Sequence, residues 1–127
     1  KDLDLRGQVV LPGVFDDVEE ILTAANLFVL PSYFEGLSIS LLEAMAHQVP
    51  VIASDIPGNR DLVETGVNGC LVPAGDVQAI SQAIHDALAN PDRSQGWAKA
   101  AYRTVQDQYS LTSMTNAHLK LFEQLVG

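Results

Sequence analysis

Three short runs in this chain are apolar from end to end: Leu27-Phe28-Val29-Leu30, Val51-Ile52-Ala53 and Cys70-Leu71-Val72. A strand with one wet face alternates polar and apolar side chains, whereas a strand apolar throughout is covered on both faces. A fourth run, Val9-Val10-Leu11, has the same character and stops at Pro12-Gly13. Segments with helical spacing stand between the runs, and strands alternating with helices build a parallel sheet. The fold class expected is therefore α/β, a parallel sheet of about four strands with flanking helices.

The helices carry their own punctuation. Asp16, with Glu19 three residues on, has a capping-box pattern and opens a helix bearing Val18, Ile21, Leu22 and Ala25. A second helix is predicted from Ser38 or Ser40 to His47, and a short one from about Arg60 to Glu64, before the turn Gly66-Val67-Asn68-Gly69. Asp76 caps a helix through Ile80, Ala83, Ile84, Ala87 and Leu88, which Asn90-Pro91 ends. Two more follow, about Arg93–Gln108 and Leu111–Val126, with Ser110 as the cap between them.

With 127 residues the chain has the size of one domain, read here as residues 1–127. It carries sixteen acidic and seven basic residues, a net charge of −9, which argues against nucleic acid or an anionic membrane as partner. One cysteine, Cys70, allows no internal disulfide and reads as core packing. The opening at Lys1 runs straight toward a strand, as expected of a piece of a longer protein. His47, His85 and His118 lack ligand spacing, and Asp2-Leu3-Asp4, though it spells D-x-D, precedes the first strand and is set aside as a metal site.

Ligands of parallel sheets bind at the carboxyl ends of the strands, which directs attention to the loop after Leu30. It reads Pro31-Ser32-Tyr33-Phe34-Glu35-Gly36-Leu37-Ser38 and leads into Ile39-Ser40-Leu41-Leu42-Glu43-Ala44-Met45-Ala46. At a rise of ~1.5 Å per residue, Glu43 lies about 7 Å inside a helix that starts near Ser38. Both carboxylates can then face one crevice. Between them the backbone N–H groups of Gly36, Leu37 and Ser38 form an anion site at a helix N-terminus. Such a segment has acceptors for sugar and ribose hydroxyls and donors for a diphosphate. Plainer readings stand beside this one: Ser40-Leu41-Leu42-Glu43 fits a capping box, Glu35 a solvated loop acid and Gly36 a turn residue. The loop Asp55–Asn59 either closes on a ligand or is a simple turn.

This stretch resembles the E-x7-E motif of the retaining glycosyltransferases of family 4, with Pro31-Ser32 before it and Glu43-Ala44-Met45-Ala46 closing it. The resemblance runs on through Val49-Pro50-Val51-Ile52-Ala53-Ser54, Gly66-Val67-Asn68-Gly69-Cys70-Leu71-Val72 and Gly75-Asp76, covering about residues 9 to 90. It implies the C-terminal, Rossmann-like donor domain of a two-domain GT-B enzyme that retains anomeric configuration and needs no bound metal or other cofactor. Glu35 would be the catalytic carboxylate near the donor sugar. Gly36, Leu37 and Ser38 would give amides to sugar or diphosphate, and Glu43 would hold the ribose. Many relatives place glycine where Ser38 stands, so the loop geometry departs from the pattern there. The partners implied are a nucleotide-diphosphate sugar and an N-terminal acceptor domain, in the cytoplasm or peripherally at the inner membrane through that domain. An Arg and a Lys from earlier strands would meet the diphosphate, so the 127-residue chain alone is expected to be inactive. A non-catalytic nucleotide-sugar or protein-binding module and a GT-B-like epimerase are the competing classes. The residues flanking the two glutamates favour the transferase over the epimerase.

By the same resemblance, Val9–Leu11 is the third strand of a 3-2-1-4-5-6 sheet. With the first two strands absent, it is expected to move beside Leu27–Leu30, with pairing between two chains as the rival outcome. The stripe Leu111, Met114, Leu119, Phe122 and Val126 adds a second adhesive surface, so a homodimer is an expected partner state.

Overall fold

A computed structural model describes residues 3–126. Its elements alternate from the start: α1 (Val18–Ala24), β1 (Phe28–Leu30), α2 (Ile39–Ala46), β2 (Val51–Ser54), α3 (Pro57–Arg60) and β3 (Cys70–Val72). Three helices close the chain: α4 (Val77–Ala89), α5 (Pro91–Thr104), which widens into a π-helical turn at Val105–Tyr109, and α6 (Leu111–Val126).

The sheet is parallel with order β1-β2-β3. Phe28 pairs with Val51 and Leu30 with Ala53, while Ile52 pairs with Cys70 and Ser54 with Val72. All four residues of β2 are buried. Successive side chains leave opposite faces of a strand, so Val51 and Ala53 enter one core and Ile52 the other. The first core gathers Leu41, Ala44 and Met45 of α2 with Leu62, Val63, Ala101 and Val105. The second gathers Val72, Ala87 of α4 and Trp97 of α5. Arg93 lies over the Trp97 ring, 5.1 Å from its centroid.

The sheet has three strands among the described residues, not four. Val9–Leu11 forms no strand, and its side chains are 54, 78 and 90% exposed. The expected move beside β1 does not occur. A crossover helix must bury a stripe against the sheet, and α1 buries only Leu22, leaving Val18 and Ile21 largely outside. Without that packing, three residues offer too few contacts to offset the cost of ordering the connection. The outer edge of β1 thus stays bare.

Other boundaries shift for local reasons. The cap of α1 is Asp17, whose carboxylate accepts the Glu20 amide at 3.1 Å, not Asp16. The short helix begins at Pro57 rather than near Arg60, because proline is pre-set for the first helical position. Asp76 and Ser110 cap as expected, accepting the amides of Ala79 at 2.9 Å and Ser113 at 3.1 Å. The stripe on α6 is exposed along its length.

α2 ends in a Schellman arrangement: Val49 N–H donates to the Ala44 carbonyl at 3.0 Å and Gln48 N–H to Met45 at 3.2 Å. Gln48 takes the left-handed conformation this requires, with φ of 55°, which costs an L-residue on the order of 1–2 kcal/mol. Gln48→Gly is therefore expected to raise unfolding free energy by about 0.5–1 kcal/mol in urea titration, net of the entropy glycine loses. In the same assay Leu11→Ser is expected to change stability by less than about 0.5 kcal/mol, while Leu41→Ala costs about 2–5 kcal/mol. A large loss for Leu11→Ser would contradict its solvated position.

Candidate functional site

β1 and β2 deliver their loops to the same end of the sheet. After β1, the chain crosses this end as Pro31–Leu37 and enters α2 at its N-cap, Ser38. Glu35 is half-buried in this loop, and one carboxylate oxygen accepts the Ser32 hydroxyl at 2.8 Å. The two residues are three apart, so a local turn suffices to fix the acid. Glu35 is thus held by the protein and is not a freely solvated loop acid.

Glu43 lies in the second turn of α2 with an exposed side chain. The capping-box alternative fails, because α2 begins at Ile39 and Ser40 is already inside it. The backbone N–H groups of Gly36, Leu37 and Ser38 make no hydrogen bond among the described residues. They precede the first turn of α2, whose own amides also lack helical partners. The Ser38 hydroxyl is buried without a partner. The loop therefore brings together Glu35, three free amides and the positive end of a helix dipole, with Glu43 in the second turn of the helix.

Two supports of this loop escaped the sequence reading. The segment Asp55–Asn59, taken as a closing loop or a turn, instead packs α3 beneath Glu35 and Gly36. A Cβ on Gly58 would stand 2.5 Å from the Glu35 carbonyl oxygen and closer still to that of Gly36. Tyr33 reaches the other way and lies on Gly75, whose φ is +78°. Beside it, a cleft of 170 Å³ opens at the carboxyl ends of the strands, lined by Pro31, Tyr33, Ser54, Val72 and Asp76. No one-letter pattern encodes these approaches. The spacing of Ser32 and Glu35 was the one readable signal.

Positive charge is scarce here. Arg60 on α3 is engaged by Asp55 at 2.6 Å, and Arg6 by Asp4 at 2.9 Å. That second pair holds the Asp4 carboxyl below its usual range. Asp2 of the D-x-D triplet lies outside the described residues. Among those described, no three His, Cys, Asp or Glu side chains gather as metal ligands. No helix is long and apolar enough to cross a membrane. Cys70 is half-buried in β3, and burial pushes its thiol pKa up.

The sheet thus carries unpaired amides at a helix start and a held carboxylate at its carboxyl end, where ligands of parallel α/β sheets bind. Comparison with known proteins makes this specific. Residues 1–90 match the family model "Glycosyl transferases group 1". The chain is 31% identical over 120 residues to the lipopolysaccharide core biosynthesis glycosyltransferase LpsE of Rhizobium meliloti, covering 94% of this chain and 35% of LpsE. It superposes on sucrose-phosphate synthase from Thermosynechococcus elongatus with TM-score 0.77 and 34% identity, over 84% of this chain and 27% of that one. With Anabaena HepE, solved in complex with UDP and glucose, the TM-score is 0.88 at 23% identity, over 94% of this chain and 33% of that one. The chain belongs to the group 1 glycosyl transferases, and its fold is that of the C-terminal domain of a GT-B enzyme. It spans about a third of the length of LpsE.

Ser32→Ala is expected to cost under about 1 kcal/mol in urea unfolding, since the bond it removes is partly solvated. It should free the Glu35 side chain, seen as a fall in the NMR order parameter of its methylene carbons. An unchanged order parameter would mean that Ser32 does not fix the acid.

Proposed function

We propose that this chain is the donor-binding part of a retaining glycosyltransferase that moves a sugar from a nucleotide-diphosphate sugar to an acceptor. The observation that carries the reading is the loop Ser32–Ser38: a fixed carboxylate beside unpaired amides at the start of α2. Membership of the group 1 family and the fold shared with UDP-bound HepE support it.

In this reading the amides of Gly36, Leu37 and Ser38 receive the diphosphate or the sugar. Glu43 accepts hydrogen bonds from the ribose hydroxyls. Glu35 stands near the anomeric carbon, where its negative charge stabilises an oxocarbenium-like transition state. The diphosphate leaves with the bonding electron pair, and the acceptor hydroxyl forms the new glycosidic bond as its proton passes to the departing diphosphate oxygen. No metal or other cofactor is assigned a part.

The loop and Glu43 stand open at the carboxyl end of the sheet, and in this reading the donor lies between this chain and an acceptor domain. That domain also supplies cover for the exposed Phe34, Leu37 and Ile39 around the loop. Arg60, the cation on α3, is engaged by Asp55, and in this reading the cations for the leaving diphosphate come from earlier strands of the parent. We place the enzyme in the cytoplasm, with the acceptor domain as its route to the inner membrane. We read the exposed α6 stripe as capable of pairing two copies.

In the intact transferase, Glu43→Ala should weaken UDP binding roughly tenfold to a hundredfold by calorimetry, the worth of about 1.5–3 kcal/mol for a hydrogen bond to a charged group. Its melting temperature should stay put, since Glu43 caps nothing. Glu35→Ala should lower kcat by at least as much with little change in UDP affinity. Unaltered UDP affinity in Glu43→Ala, or a product of inverted anomeric configuration by NMR, would overturn the reading.

A further inference from the structure

The loop that holds Glu35 rests on α3, and at Gly58 it does so through backbone atoms. The Glu35 carbonyl carbon and oxygen and the Gly36 carbonyl oxygen all lie against the Cα of Gly58. A side chain there would meet the oxygen of Glu35 at 2.5 Å and its carbon at 3.1 Å. These are backbone atoms, so relief requires moving the loop itself.

The direction of those carbonyls decides the direction of the amides. In a trans peptide the C=O and N–H of one unit point opposite ways, and no cis bond occurs among the described residues. With the Glu35 carbonyl turned down onto α3, the Gly36 N–H points up and away from it. With the Gly36 carbonyl turned down, the Leu37 N–H does the same. Both amides are unpaired. The platform is itself pinned to the sheet. Asn59, fully buried, donates through Nδ2 to the Ser54 carbonyl at the end of β2, 2.9 Å away. The Ile56 amide donates to the same carbonyl at 2.9 Å.

We propose that Gly58 is a positioning residue: by lacking a side chain it lets the Glu35 and Gly36 carbonyls seat on α3, which turns the Gly36 and Leu37 amides, and the Glu35 carboxylate with them, toward the donor. Asn59 holds that seat to β2. The inference deepens the proposed function and rests on it for the role of Glu35.

Two measurements separate the contact from its use. In the 15N–1H spectrum of this chain, Gly58→Ala should displace the amide resonances of residues 34–38 while the buried β2 amides stay in place. In the intact transferase, Gly58→Ala should lower kcat at least tenfold, while UDP affinity, to which Glu43 and the displaced amides both contribute, falls by less. Asn59→Ala loosens the same seat without adding an atom and should give the same split, so the test survives if the alanine at 58 is poorly tolerated. Unmoved resonances at Gly36 and Leu37, or equal losses of UDP affinity and kcat in both variants, would overturn the positioning role. A displaced loop with full kcat would instead sink the catalytic role given to Glu35, and the use proposed for Gly58 with it.

Discussion

The burial of β2 on both faces is the constraint from which the remaining structure takes its place. Val51, Ile52 and Ala53 are wholly inaccessible, and each faces a core opposite to its neighbour's. Burying such side chains contributes roughly 1.5–3 kcal/mol for each large one. No other strand can do this here, because β1 and β3 are edges with half-exposed residues. Helix α2 on one face and α4 on the other are the two covers that β2 demands, and α5 reaches both cores through Ala101 and Trp97.

The site inherits its order from that strand. The Ser54 carbonyl ends β2 and receives both the Ile56 amide and the Asn59 side chain, so α3 cannot drift. α3 in turn carries the Glu35–Gly36 peptide, and Ser32 fixes the carboxylate from within the loop. The surface loop is thereby tied to the doubly buried strand through two short contacts, the way loops are held on a fixed scaffold.

What the sequence made legible follows from which forces are local. The runs Phe28–Leu30, Val51–Ser54 and Cys70–Val72 declare themselves by composition, and Asp76 and Ser110 declare their helices by spacing. Glu35 and Glu43 were visible as residues in a motif. Val9–Leu11 has the composition of a strand and yet is not one, because a strand needs a neighbour and composition does not say whether one is within reach. Gly58 was passed over for a related reason. Its contact joins residues more than twenty positions apart, and its signature is the absence of an atom. Asp16 and Asp17 show the finer limit: two adjacent acids can each cap, and the Glu20 amide goes to Asp17.

The strand order has a consequence for how the molecule is assembled. Each strand pairs with the next one in the chain, Phe28 with Val51 and Ile52 with Cys70, and no strand is inserted between earlier partners. Loops of this length close at modest entropic cost, and such near-neighbour pairing lowers contact order and favours rapid folding. β2 can therefore add to β1, and β3 to β2, in the order in which a ribosome would release them. β2 and β3 each find their template already in place.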